Sequence, residues 1–147
     1  METRKTKTLF VPGAISPDFI AQSITKHQSK TTIGAHDIFL GQVRADVLEG
    51  KTVTGIEYSA YEEMAEQKMT DIRETIFAKY ELSCMHVYHS LGVVGVGELC
   101  LFVFVSAPHR QVAFDGIREL VERIKKELPV FGREIFEDES YSWKVNT

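Results

Sequence analysis

Three short segments carry side chains that could do chemistry together. Phe39-Leu-Gly-Gln-Val-Arg44 is an apolar run that ends in an arginine. Ser106-Ala-Pro-His109-Arg110 sets an imidazole and a guanidinium where a strand should give way to a helix. The first N–H groups of a helix lack intrahelical partners, so that position favours an anion. Lys125 falls in the last turn of the same helix, and Pro129 and then Gly132-Arg133-Glu134 follow it. A planar guanidinium fork suits phosphate, and a lysine beside a reacting group can hold developing negative charge or move a proton. The chain as a whole has 17 basic and 21 acidic residues, a formal charge of −4. That balance gives no general attraction to nucleic acid or to an anionic membrane, so an anionic ligand must meet a local basic pocket.

Each of these residues also has a plain structural reading. A lysine near a helix C-terminus is electrostatically favoured whatever its function. His109 and Arg110 could be solvated residues of a first helical turn, and Arg44 could pair with Asp46 or Glu57 as an ordinary surface ion pair. Tyr61 and Met64 read as helix packing. His36, His86 and His89 alternate with apolar residues in strands and read as structural. Cys84 and Cys100 have no close cysteine partner, so no zinc or redox motif is indicated and no metal or cofactor is expected. Both sit in apolar runs, as small buried hydrophobes do, and a reducing cytoplasm is the simplest setting. Met1 to Thr8 is basic without an apolar core segment, so no signal peptide is expected. The longest apolar run, Leu99 to Val105, is too short to cross a bilayer.

The elements that must position these residues follow from periodicity. Ser16-Pro17-Asp18 is a helix start, with a capping hydroxyl, proline at the first turn and an early acid. Ile15 and Ile20 have the spacing of a hydrophobic staple, and the helix should run to about His27. Strands are expected at Gly34 to Arg44 and Thr52 to Tyr58, joined through a Glu49-Gly50 turn. A helix from Tyr61 to about Lys79 follows. Strands at Cys84 to Ser90 and Glu98 to Ser106 should flank a glycine-rich turn around Gly92, Gly95 and Gly97. Leu101 to Val105 is apolar on both faces and belongs in the middle of a covered sheet. The long helix, Gln111 to Leu128, should bury Phe114, Ile117, Leu120, Val121, Ile124 and Leu128, and Pro129 ends it. Val130 to Phe136 reads as a short edge strand before an acidic, aromatic tail. The order predicts one α+β domain over residues 1–147, with a largely antiparallel sheet packed by helices.

In order and spacing, the motifs resemble the large (catalytic) subunits of molybdopterin synthase. The resemblance runs from Gly34 onward through Phe39-x-Gly-x-Val-Arg44, Glu57-Tyr58-x-x-Tyr61-x-x-Met64-Ala65 and His89-x-Leu-Gly92. It continues with Ser106-x-x-His109-Arg110, Arg123-Ile-Lys125, Pro129 and Arg133-Glu134. It implies an α/β-hammerhead-like fold and a homodimer. It further implies that each copy binds a small ubiquitin-like sulfur carrier with a Gly-Gly C-terminus, making a heterotetramer. The carrier's thiocarboxylate would deliver sulfur to cyclic pyranopterin monophosphate, giving the molybdopterin dithiolene in molybdenum cofactor biosynthesis.

On the matching positions, Lys125 would be the catalytic lysine. Arg44, His109 and Arg110 would hold phosphate and pterin, with Gln42, Val43, Lys125, Gly132, Arg133 and Glu134 as further substrate contacts, partly through backbone groups. The family often has a second lysine where this chain has Gly132, and a histidine-arginine pair where it has His89-Ser90. Arg133 or Lys126 is then the candidate replacement for the missing charge. The sequence shown ends Trp143-Lys-Val-Asn-Thr147 rather than in Gly-Gly, so sulfur is expected to come from a second protein. The reading from a different class is a noncatalytic ligand-binding or regulatory α+β domain derived from this family.

Overall fold

The structure, a computed structural model, describes residues 9–144; the basic Met1 to Thr8 segment and the last three residues lie outside the described residues. The elements are β1 (Phe10–Pro12), α1 (Pro17–His27), β2 (Ala35–Gln42), β3 (Val47–Leu48), β4 (Lys51–Ala60), α2 (Glu62–Lys79), β5 (Cys84–Gly95), β6 (Leu99–Ala107), α3 (Arg110–Glu127), β7 (Val130–Phe136) and β8 (Tyr141–Trp143). The strands form one sheet in the order β2-β6-β5-β4-β7-β8, with β1 on β5 and β3 on β4. Only the β1–β5 pairing is parallel among them. The expected α+β architecture with a largely antiparallel sheet is the one found.

α1 starts as its residues dictate. The Ser16 hydroxyl accepts from the Asp18 N–H at 3.0 Å, Pro17 follows the cap, and Ile15 and Ile20 are both buried on either side of it. β6 is covered on both faces. Leu101, Val103 and Val105 pack toward α2 and α3 with Ile72, Ile76, Leu120 and Ile124. Phe102 and Phe104 point the other way, into a smaller cluster with Ile15 and Ile20. The alternation of side chains along a strand thus builds two cores from one sequence.

Four expectations need correction. The turn between β5 and β6 holds only Gly97, at φ +86°, because β5 runs on to Gly95. Gly92 instead lies within β5 at φ +90°, where the strand leaves β6 and pairs with β4; an L side chain rarely adopts that conformation. β7 is not an edge, because the aromatic tail folds back as β8 and pairs with it. Phe114 is half exposed, since α3 buries the stripe Ala113, Ile117, Leu120 and Ile124, which lies one residue to the side. Tyr61 and Met64 are exposed too. α2 packs through Ala65, Met69, Ile72 and Ile76, and Tyr61 instead meets the edge of the Phe131 ring.

Candidate active site

Where α3 stops, the α2–α3 face of the sheet opens. Leu128 caps the helix, Pro129 turns the chain, and β7 brings Gly132 opposite Tyr58 of β4. A Cβ at Gly132 would meet Ile56 Cγ2 at 3.0 Å and Tyr58 Cε1 at 3.3 Å, so Tyr58 occupies the room a larger residue would need. The space left holds two adjoining cavities of about 550 and 230 Å³. Lys125, Tyr58, Cys100 and Lys144 line both, so Lys125 stands at their junction.

The smaller cavity takes in Gln42, Val43, Arg44 and Glu134, and the larger one Gly132, Phe131, Trp143, Lys126 and His89. Seven of the residues that the sequence singled out therefore converge: Gln42, Val43, Arg44, Lys125, Lys126, Gly132 and Glu134. Val43 is itself buried, its N–H donates to the Glu98 carbonyl at 3.0 Å, and its carbonyl accepts from Gly97 at 2.9 Å. Arg44 is exposed and pairs with Asp46 at 3.3 Å, one of the two partners foreseen for it. Glu57, the other, is taken by Arg133.

Arg133 does not face the cavities. On β7 it points to the side opposite Gly132 and Glu134, is bonded to Glu57, and has its guanidinium 4.0 Å from the centre of the Tyr141 ring. One cation beside Gly132 is one the sequence did not single out. β8 pairs with β7, the Lys144 N–H donates to the Gly132 carbonyl at 2.8 Å, and Lys144 Nζ lies 3.9 Å from the buried Glu134 carboxylate. No local pattern announces this contact, because it depends on the tail folding back.

His109 and Arg110 are exposed at the far end of α3. At a rise of about 1.5 Å per residue they stand about 22 Å along the helix from Lys125. One copy of the chain does not bring the two ends together. Gly34 packs under their turn so closely that a Cβ there would lie 2.2 Å from the Pro108 carbonyl oxygen.

Electrostatics in the cavities favour neutral donors and acceptors beside the lysines. Burial, then the neighbouring Cys100 and Glu134, pushes the Tyr58 phenol well above its ordinary range, so it remains a hydrogen-bond donor. Burial pushes His89 down to about 4; its backbone hydrogen bond opposes this and the Lys125 charge adds to it. His89 Nδ1 lies 2.8 Å from the Ser90 carbonyl, which can only accept, so the proton is on Nδ1 and Nε2 is bare. The arrangement offers cations for an anion, a neutral phenol and imidazole for proton handling, and an entrance walled by exposed Phe131 and Trp143.

Comparison with known proteins agrees with this geometry. The family model described as MoaE protein matches residues 15–127. The chain is 37% identical over 117 residues to the molybdopterin synthase catalytic subunit of Bacillus subtilis, covering 80% of this chain and 74% of that one. It is 39% identical over 115 residues to the one of Drosophila willistoni, covering 77% of this chain but 31% of that one, so it spans about a third of this relative's length. A molybdopterin synthase crystal structure from Staphylococcus aureus superposes with a TM-score of 0.80 at 26% identity, covering 97% of this chain and 99% of that one. A complex of subunits 1 and 2 of molybdopterin-converting factor from Helicobacter pylori gives 0.78 at 16% identity, over 91% and 87% of the two chains, and there the likeness is one of fold. The chain belongs to the MoaE family, whose curated relatives are molybdopterin synthase catalytic subunits.

Proposed function

We propose that this chain is the catalytic subunit of a molybdopterin synthase. In this reading it takes sulfur from the thiocarboxylated Gly-Gly end of a small carrier and places it on cyclic pyranopterin monophosphate. The observation that carries the reading is the position of Lys125 at the junction of two cavities. The larger has an apolar mouth at Phe131 and Trp143, fit for an extended tail without side chains, and the smaller is bordered by Arg44 and Lys144, fit for a phosphate. Each transfer forms a carbon–sulfur bond to the pterin side chain as a carbon–oxygen bond there breaks, its oxygen leaving once with the opened cyclic phosphate and once as water. A further water then cleaves the carrier's acyl–sulfur bond and leaves a carboxylate. Lys125 would hold the negative charge that develops as the acyl–sulfur bond breaks, with Tyr58 and His89 as neutral partners for the protons.

Lys144 takes the part of the missing lysine at Gly132 in this account, and Arg133 does not. His109 and Arg110 act from a second copy: the homodimer that the resemblance implies would bring one copy's Arg110 to the other's Lys125. Cys84 and Cys100 are both free and buried, which fits a reducing cytoplasm.

The test is reconstitution. The chain, a thiocarboxylated carrier and the cyclic monophosphate should together yield dithiolene product, and omission of the carrier should abolish it even with free sulfide present. Product without carrier, or none from the full mixture, would refute the proposal. Co-expressed Lys125→Ala and Arg110→Ala chains should regain roughly a quarter of wild-type turnover, because half of the dimers are mixed and hold one intact site of two. No recovery would put Arg110 in the same copy's site, and recovery of about half, with the Arg110→Ala chain active by itself, would put it outside the site.

A further inference from the structure

The sheet face turned away from the cavities carries ligand-type side chains that sulfur transfer does not use. His27, the last residue of α1, meets Cys84 and His86, which share a face of β5, and their ring nitrogens and sulfur lie within 4.8 Å of one another. The Nε2 atoms of His27 and His86 are 2.8 Å apart. His27 Nδ1 lies 2.7 Å from the Ser23 carbonyl one turn back. A carbonyl only accepts, so the hydrogen is on Nδ1 and the Nε2 lone pair points at His86. We propose that His27, Cys84 and His86 form a zinc site that clasps the end of α1 to the sheet.

The donor set chooses the ion. Two imidazoles and a sulfur suit a borderline-soft metal such as zinc, whereas magnesium and calcium seek oxygens. A ring N–H given to a backbone carbonyl is the supporting bond that metal-bound histidines show. His27 also stands at the carbonyl end of α1, where a cation is favoured.

The adjustment needed is small. With Zn–N bonds of about 2.0–2.1 Å a tetrahedral ion holds two nitrogens about 3.3 Å apart, so the rings must part by about half an ångström. Lys30 Nζ, 3.1 Å from Cys84 Sγ, belongs to an exposed residue that can release the sulfur into zinc's reach. Water completes the shell. Arg73, the other cation facing the site, is held by the Met85 carbonyl at 2.9 Å. Neither His27, Cys84 nor His86 lines the cavities around Lys125, so the ion would stiffen α1 without entering the reaction.

The experiment uses the full chain stripped with a chelator and titrated with Zn2+ or Co2+ alone. One ion should bind per chain and raise the melting temperature, and Co2+ should give a near-ultraviolet thiolate charge-transfer band. His86→Ala should weaken zinc binding by more than the roughly 10–100-fold that follows loss of a mere supporting partner. Cys84→Ser should remove the cobalt band, while Cys100→Ser and His36→Ala should keep it. A wild-type cobalt complex without the thiolate band would overturn the proposal, and that readout requires no variant to fold. Unchanged zinc affinity in a folded His86→Ala chain would overturn it as well.

Discussion

The two faces of the β5–β6 strand pair are made of alternating residues of the same segments, and they end differently. Toward α1, Phe102 and Phe104 are fully buried, stack at 6.0 Å, and are closed over by Ile20 and the His27–His86 pair. Toward α2 and α3 the packing is as tight in the middle, where Val103 and Leu120 have no exposure, but it stops at the end of α3. There Pro129 ends the helix and the space beside Lys125 remains open, while Ile56 and Tyr58 already fill the room beside Gly132. A cavity in this fold is a place where a helix runs out before the sheet does.

The comparison can be broken by exchanging what each face is for. Phe102→Ala removes a fully buried ring from the closed face and should destabilise the protein by about 3–5 kcal/mol, with turnover per folded molecule unchanged. Urea unfolding and an active-site titration would check both halves. A loss below about 1 kcal/mol would mean that the α1 face is not a packed core.

Acid should act on both faces. His89 on the open side and His86 on the closed side each have a folded pKa of about 4 against the ordinary 6.5. Between those values the unfolded chain binds protons that the folded chain excludes. Stability should therefore be full above pH 6.5 and fall as the pH drops toward 4. The buried His89 alone accounts for a loss on the order of 3 kcal/mol. His89→Gln should flatten that slope in urea midpoints measured across the window, and an unchanged slope would show that His89 is not held neutral by burial.

On the open face, Lys144→Ala should reduce turnover or precursor affinity by roughly 10–100-fold, the size of one lost charged hydrogen bond. Arg133→Ala, one pleat away and facing outward, should change turnover by less than about threefold, with any deficit appearing as stability, because its side chain is bound to Glu57 and Tyr141. The reverse ranking would return the second cation to Arg133.

Local chemistry made most of the framework legible. The Ser16-Pro17-Asp18 cap, the two-sided apolar run of β6 and the Pro129 stop each needed only neighbouring residues. What depended on distant pairing was not legible. Nothing near Tyr141–Trp143 says that the tail will cover β7, so Lys144 could not be placed beside Gly132. His86 read alone on its strand gave no sign of His27, which arrives from α1. One miss was avoidable. Alternation along β7 puts Gly132 and Glu134 on one face and Arg133 on the other, which argued against Arg133 as the replacement cation. The family resemblance named Lys125, Arg44 and Glu134 together, and they line one cavity, but it could not say that His109 and Arg110 would stand a helix length away in the same copy.

The central claim is that Lys125 acts on the transfer itself. It is tested most directly by single-turnover sulfur transfer from a thiocarboxylated carrier to the bound cyclic monophosphate, comparing Lys125→Ala with wild type at saturating partner and substrate. The account predicts a rate lower by roughly 100-fold or more, with an unchanged melting temperature. A rate within about threefold of wild type would contradict it and leave Lys125 as a helix-end cation.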